Sequence, residues 1–227
     1  MARRGREGEE RKEPPPPGDV GGRPTPSRRW NRILLAVGAA LVLLGLGALA
    51  GLYGYIYYTD RKAGRVQEEL LRSWEERPFS PQEDRPSAGD GVARIIIPRL
   101  GLDAIVVELR SIEDGENLKK GPGHIPGTAY PGEEGNCVIS GHRTTYGAPF
   151  RHLEQLAAGD EVILETAEGR YTYVVYEQRI VSPSDLSVLE QAGDPRVTLT
   201  ACHPWYSAAR RIVVVARLQA TEGPQGP

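Results

Sequence analysis

At 227 residues the chain has room for one globular domain of ordinary size plus appendages, and an apolar content of 39% is low for a packed protein, because both ends contribute little core. With 28 basic and 30 acidic residues the formal net charge is -2, which gives no reason to expect a nucleic-acid partner. No Cys-x-x-Cys or His-x-x-x-His spacing supplies zinc ligands, so neither a metal nor any other cofactor is expected.

Residues 1–32 carry mixed charge, a four-proline run from Pro14 to Pro17 and no apolar periodicity, and are expected to be disordered. Ile33 to Tyr58 follows with no charged residue in 26 positions. At about 1.5 Å per helical residue that length exceeds the roughly 30 Å hydrocarbon core of a bilayer, so a single transmembrane helix is expected over 33–58. Trp30 at one end and Tyr53, Tyr55, Tyr57 and Tyr58 at the other fit a headgroup-level aromatic belt. Ala48-Leu-Ala50 imitates a signal-cleavage site, but the stretch is longer than the usual h-region of about 7–15 residues. Arg23, Arg28, Arg29 and Arg32 precede the span and Arg61, Lys62 and Arg65 follow it, so charge alone biases the orientation only slightly.

Residues 59–91 read as a stalk and linker. Val66, Leu70, Leu71 and Trp74 fall near helical spacing, after which prolines and charges take over. From Val92 the texture changes to short apolar runs punctuated by Gly and Pro. Seven runs read as strands: Val92 to Ile97, Asp103 to Leu109, Cys137 to Ser140, Glu161 to Glu165, Tyr171 to Val181, Val197 to Ala201 and Ile212 to Leu218. Phe150 to Leu156 and Asp185 to Gln191 read as short helical turns. The class is therefore mainly β, a barrel or sandwich over 92–219, with a disordered tail at 220–227. Acidic residues at 108, 113, 114 and 116 read as a solvated face.

The chemistry-bearing stretch is Val197 to Val215. Cys202 closes one strand, and Arg210 and Arg211 open the next, which brings a thiol and a guanidinium together if the two strands are neighbours. His142 likewise closes a strand, at a Gly-His-Arg turn. His203, adjacent to Cys202, points to the opposite face of an extended chain and is a poor partner. His124 and His152 read as solvated, and Cys137 as core. Spacing alone favours a small buried strand residue at Cys202, and it does not separate Arg210 from Arg211.

Thr198-Leu-Thr-Ala-Cys202 followed by Arg211, together with Asn136 to Phe150 ending in Gly141-His-Arg143 and Tyr146-Gly-Ala-Pro-Phe150, resembles the sortase family over roughly 91–218, class E most closely and class D as its neighbour. The resemblance implies an eight-stranded barrel with short connecting helices, one strand more than the pattern supplies. The second half of Tyr171 to Val181 is a candidate for the missing strand. It implies a cysteine transpeptidase in which Cys202 is the nucleophile, His142 transfers the proton and Arg211 holds the oxyanion or substrate backbone, with Thr200 and Ala201 expected along the groove. Such an enzyme cleaves a Leu-x-x-Thr-Gly-type sorting signal between Thr and Gly through a thioester. It passes the acyl group to an amine of a peptidoglycan precursor or a pilin lysine, from an extracytoplasmic domain anchored in the cell membrane. Class E members often carry Tyr where Ile125 stands, so their preference for Ala at the second signal position is not carried over. A reactive extracytoplasmic thiol also implies that Cys137 and Cys202 stay unpaired. The competing readings are a non-catalytic cell-surface barrel that binds wall peptides, and a thiol hydrolase differing only in its acceptor.

Overall fold

The computed structural model describes residues 28–82, 86–191 and 193–224. Most of the segment expected to be disordered, residues 1–27, lies outside them, as do the last three residues of the tail. The chain divides into two units, residues 1–49 and 50–227.

The described part of the first unit belongs to α1 (Arg28–Glu76), a continuous helix whose best apolar window has none of its residues buried. An apolar surface on all sides, left bare by the described residues, marks a candidate membrane span rather than a core helix. The helix ends shortly before Pro78, where the residue preceding a proline is steered out of the α region.

The second unit is built on eight strands: β1 (Gly91–Ile97), β2 (Leu102–Glu108), β3 (Gly123–His124), β4 (Asn136–Gly141), β5 (Glu161–Thr166), β6 (Gly169–Val181), β7 (Arg196–His203) and β8 (Arg210–Glu222). They close into a barrel in the order β1-β2-β3-β4-β7-β8-β6-β5. All seven expected strands are present, with ends shifted by a few residues. The missing strand is β3 and not the second half of β6, which stays one strand through two register shifts in its pairing with β8. At two residues β3 shows no alternation to read. It is held parallel to β2 and antiparallel to β4.

The barrel is filled from alternate strand positions. Ile95 and Ile97, Cys137 and Ile139, Leu164, Tyr173, Val197, Leu199 and Ala201, and Ile212, Val214 and Ala216 form the main cluster. The intervening positions face outward, where Val213 and Val215 are covered by Val188, and Val138 packs with Val107, Leu109 and Ile125. Burial pushes the Cys137 thiol far up, as befits a core residue.

Four expectations are corrected. His124 is 1% exposed, with Nδ1 2.7 Å from Glu108 Oε2 and its ring stacked on Tyr130. Glu108 is therefore a buried partner and no part of a solvated face. Beside it Asp114 caps the short turn Gly115–Leu118, where hydrogen bonds from the Asn117 side chain and the Arg110 amide hold its carboxyl down to about 2. The segment read as a stalk is packed on the barrel through Thr59, Ala63 and Trp74. Gln67 sets its amide between β2 and the turn that precedes β3, accepting from Ile105 N and donating to the carbonyls of Ile105 and Lys120. Finally, the tail begins later than expected, because Ala220, Thr221 and Glu222 pair with Thr172, Tyr171 and Arg170.

Candidate active site

Sheet topology alone assembles the site. β4 and β7 run parallel, with Gly141 opposite Ala201, so the next residues, His142 and Cys202, leave the same rim side by side. β8 runs antiparallel to β7 and enters at that rim, with Arg211 directly opposite Cys202 and Arg210 opposite His203. Strand alternation then separates two sets. Cys137, Ile139, Val197, Leu199, Ala201, Ile212 and Val214 point into the barrel, which turns Ser140, His142, Thr200, Cys202, Arg211 and Val213 to the outer face.

On that face lies a cleft of about 350 Å³. Its floor is Ser140, Gly141, His142, Thr200, Ala201, Cys202 and Arg211. One wall carries Ile112, Glu113, Leu118 and Ile125, and the other carries Val181, Pro183, Asp185, Leu186 and Val188. The sequence-expected residues are thus brought together, with one refinement. Thr200 faces the cleft, whereas Ala201 reaches its floor with its methyl committed to the core. Ile125 also lines the cleft. Ser140 went unremarked in the sequence, although counting two back from His142 on β4 finds it.

Each side chain is set by its neighbours. The His142 ring packs against Tyr146 at 4.9 Å, and its Nε2 is buried without a hydrogen-bond partner among the described residues. Burial, with Lys119 as a second cause, lowers its pKa below the usual imidazole value, so the neutral ring prevails near neutral pH. Gly141 lacks a side chain because a Cβ there would meet the Phe150 ring at 2.5 Å. Phe150 N in turn donates to His142 O at 3.1 Å, closing the loop that follows β4. The Arg211 guanidinium donates to the carbonyls of Ala208 and Arg210, both at 3.2 Å, and so is tied to its own turn.

On the opposite face of the same strand ends lies Arg143, 4% exposed. It donates to Cys202 O at 3.3 Å and to Glu154 at 2.5 Å, and it meets His203 Nδ1 at 3.0 Å and the Trp205 ring at 5.8 Å. It ties the residue after His142 to the backbone of Cys202. His203 is engaged there and is absent from the cleft, as its parity with Cys202 requires.

A closed eight-stranded barrel presenting a thiol, an imidazole and a guanidinium from three adjacent strands at one rim defines the class: a thiol-centred site on a β-barrel. The sortase domain matches residues 95–219, and the chain belongs to the sortase family. It is 31% identical over 137 residues to sortase D of Bacillus subtilis (59% of this chain, 66% of that one) and 29% identical over 205 residues to sortase SrtE1 of Streptomyces coelicolor (81% and 56%). It therefore spans 56 to 66% of the length of these two curated relatives. Among solved structures, a sortase D5 transpeptidase of Clostridium perfringens superposes with a TM-score of 0.61 at 30% identity, covering 69% of this chain and 99% of the other.

Proposed function

We propose that the chain is a membrane-anchored cysteine transpeptidase acting on surface proteins that carry a C-terminal Leu-x-x-Thr-Gly-type sorting signal. The observation that carries this reading is the shared outer face of His142, Cys202 and Arg211 along one cleft floor. The neutral His142, with its unpartnered Nε2, takes the Cys202 proton as the sulfur attacks the Thr–Gly carbonyl. Arg211, opposite the nucleophile, stabilises the oxygen on which negative charge develops. The imidazolium, a stronger acid than usual because of its lowered pKa, protonates the departing glycine amine, and a thioester remains on Cys202. An incoming amine from a wall precursor or a pilin lysine gives its proton to His142 and displaces the thiolate. Thr200 and the apolar side chains of the two walls hold the signal peptide in place.

In this reading 33–58 crosses the membrane with the N-terminus inside, and 92–219 is the catalytic domain on the outer side. The test uses the full chain in detergent micelles with a quenched Leu-Pro-x-Thr-Gly or Leu-Ala-x-Thr-Gly peptide, with and without an amine. Amine-dependent ligation is the expected result. Cleavage unaffected by amine indicates a hydrolase, and binding without turnover indicates a non-catalytic module. Either would overturn the proposal.

A further inference from the structure

The turn after His142 is in an unusual conformation. Tyr146, Gly147 and Ala148 have φ of 55, 75 and 44° in succession, the left-handed region that two of these three residues ordinarily avoid. A run of this kind persists only where the surroundings hold it. Here the holding group comes from α1, beyond its apolar stretch. Asp60 Oδ1 accepts a hydrogen bond from Gly147 N at 2.8 Å. Ala63, itself 5% exposed, lies against the same turn, 3.8 Å from where a Cβ on Gly147 would stand. Tyr55 and Tyr146 bring their hydroxyls to 3.3 Å. The Tyr146 ring leans against the His142 ring, tilted by 44°. Four links therefore run without a gap: helix, turn, Tyr146, imidazole.

We propose that the membrane-proximal stretch of α1 is a positioning element of the active site, in which Asp60, aided by Tyr55, fixes the Tyr146–Ala148 turn and thereby sets the orientation of His142. The role rests on the reading of His142 as the proton-transfer group and extends it. Asp60 touches neither substrate nor reacting atoms. It acts through a backbone amide, so the acceptor oxygen matters and the negative charge does not. A helix end anchored by Gln67 and Trp74 on the barrel is a stiff support for such a contact.

The groups that share the surroundings of His142 are Tyr146, with Lys119 5.8 Å from its ring, and, in the cleft, Cys202, Arg211, Glu113 and Asp185. Freeing the turn removes the Tyr146 ring from His142, lessens its burial, and lets its pKa rise toward the ordinary imidazole value.

The experiment follows the four histidines of the full chain in micelles by NMR with labelled His, the His142 signal being the one lost in His142→Gln. Asp60→Ala is expected to raise the His142 titration midpoint and, in the peptide assay, to lower kcat on the order of 10-fold with KM unchanged. Asp60→Asn keeps an acceptor oxygen and is expected to restore both. Tyr55→Phe gives a smaller shift in the same direction, and Glu68→Ala, at an exposed position of the same helix, gives none. An unmoved His142 midpoint in Asp60→Ala overturns the proposal, as does an equal shift in Asp60→Ala and Asp60→Asn. The NMR readout does not depend on turnover, so failure of the wild-type chain to process any peptide counts against the proposed activity alone.

Discussion

Arg211 stands directly across the β7–β8 ladder from Cys202, while Arg210 stands across from His203 on the other face. Two adjacent and chemically identical side chains are thereby given unrelated surroundings. Arg211→Ala is expected to lower the acylation rate by on the order of 10² to 10³, the usual effect of losing one oxyanion donor. Arg210→Ala is expected to change it by less than about threefold. Arg211→Lys keeps the charge without the planar fork and is expected to recover only a minor part. The measurement is single-turnover acylation with unchanged melting, and a severe Arg210→Ala would place the wrong arginine in the cleft.

The two thiols make a second contrast. Cys202 lines the cleft, whereas Cys137 is 1% exposed inside the barrel. Cys202→Ala is expected to abolish thioester formation at unchanged stability. Cys137→Ala is expected to retain activity and lose roughly 1 kcal/mol of stability, as is usual for a small core truncation. Mass spectrometry of the trapped acyl-enzyme decides between them.

The third expectation concerns pH. Lys119 disfavours the imidazolium of His142, so Lys119→Met should move the limb of the pH–rate profile set by His142 to higher pH, with less effect at high salt. The sign for stability follows from the same shift. The folded pKa lies below the unfolded one, so the unfolded chain binds the proton first. The contribution of His142 is fully present above the ordinary imidazole value and is lost as pH falls through the depressed folded value. A downward move of the limb would contradict the assignment.

Arg143 offers a fourth test. Its buried guanidinium satisfies the Cys202 carbonyl and pairs with Glu154. Arg143→Met is expected to cost about 2–3 kcal/mol and to slow acylation, because the carbonyl beside the nucleophile loses its donor. Arg143→Lys should restore stability better than rate, since one ammonium cannot reach all of the partners. Denaturant melts run beside acylation rates separate the two effects.

Much of the barrel could be read in the chain because its strands alternate cleanly, and Cys202 and His142 could be placed because each ends such a strand. The residues that escaped share a different cause. β3 is too short for any period, so the burial of His124, one of its two residues, had no local signal. The docking of α1 was hidden because Thr59, Ala63 and Gln67 are small or polar, and an apolar pattern does not record a glutamine that satisfies a strand backbone. Arg143 drew notice only as the last residue of the Gly-His-Arg turn. Its burial depends on Glu154 and the Cys202 carbonyl, which strand alternation alone does not bring into view.

The parallel ladder between β4 and β7 joins residues roughly sixty positions apart, such as Cys137 and Val197. A pairing of that span is reached only after a costly loop closure, so it belongs to the late, cooperative part of folding. Before it forms, the local β7–β8 pairing can already set Arg211 across from Cys202, but the sulfur has no imidazole beside it. In the proposed mechanism reactivity is thus conditional on completion: a partly folded copy keeps its sulfur apart from the imidazole, and only the finished barrel joins the two.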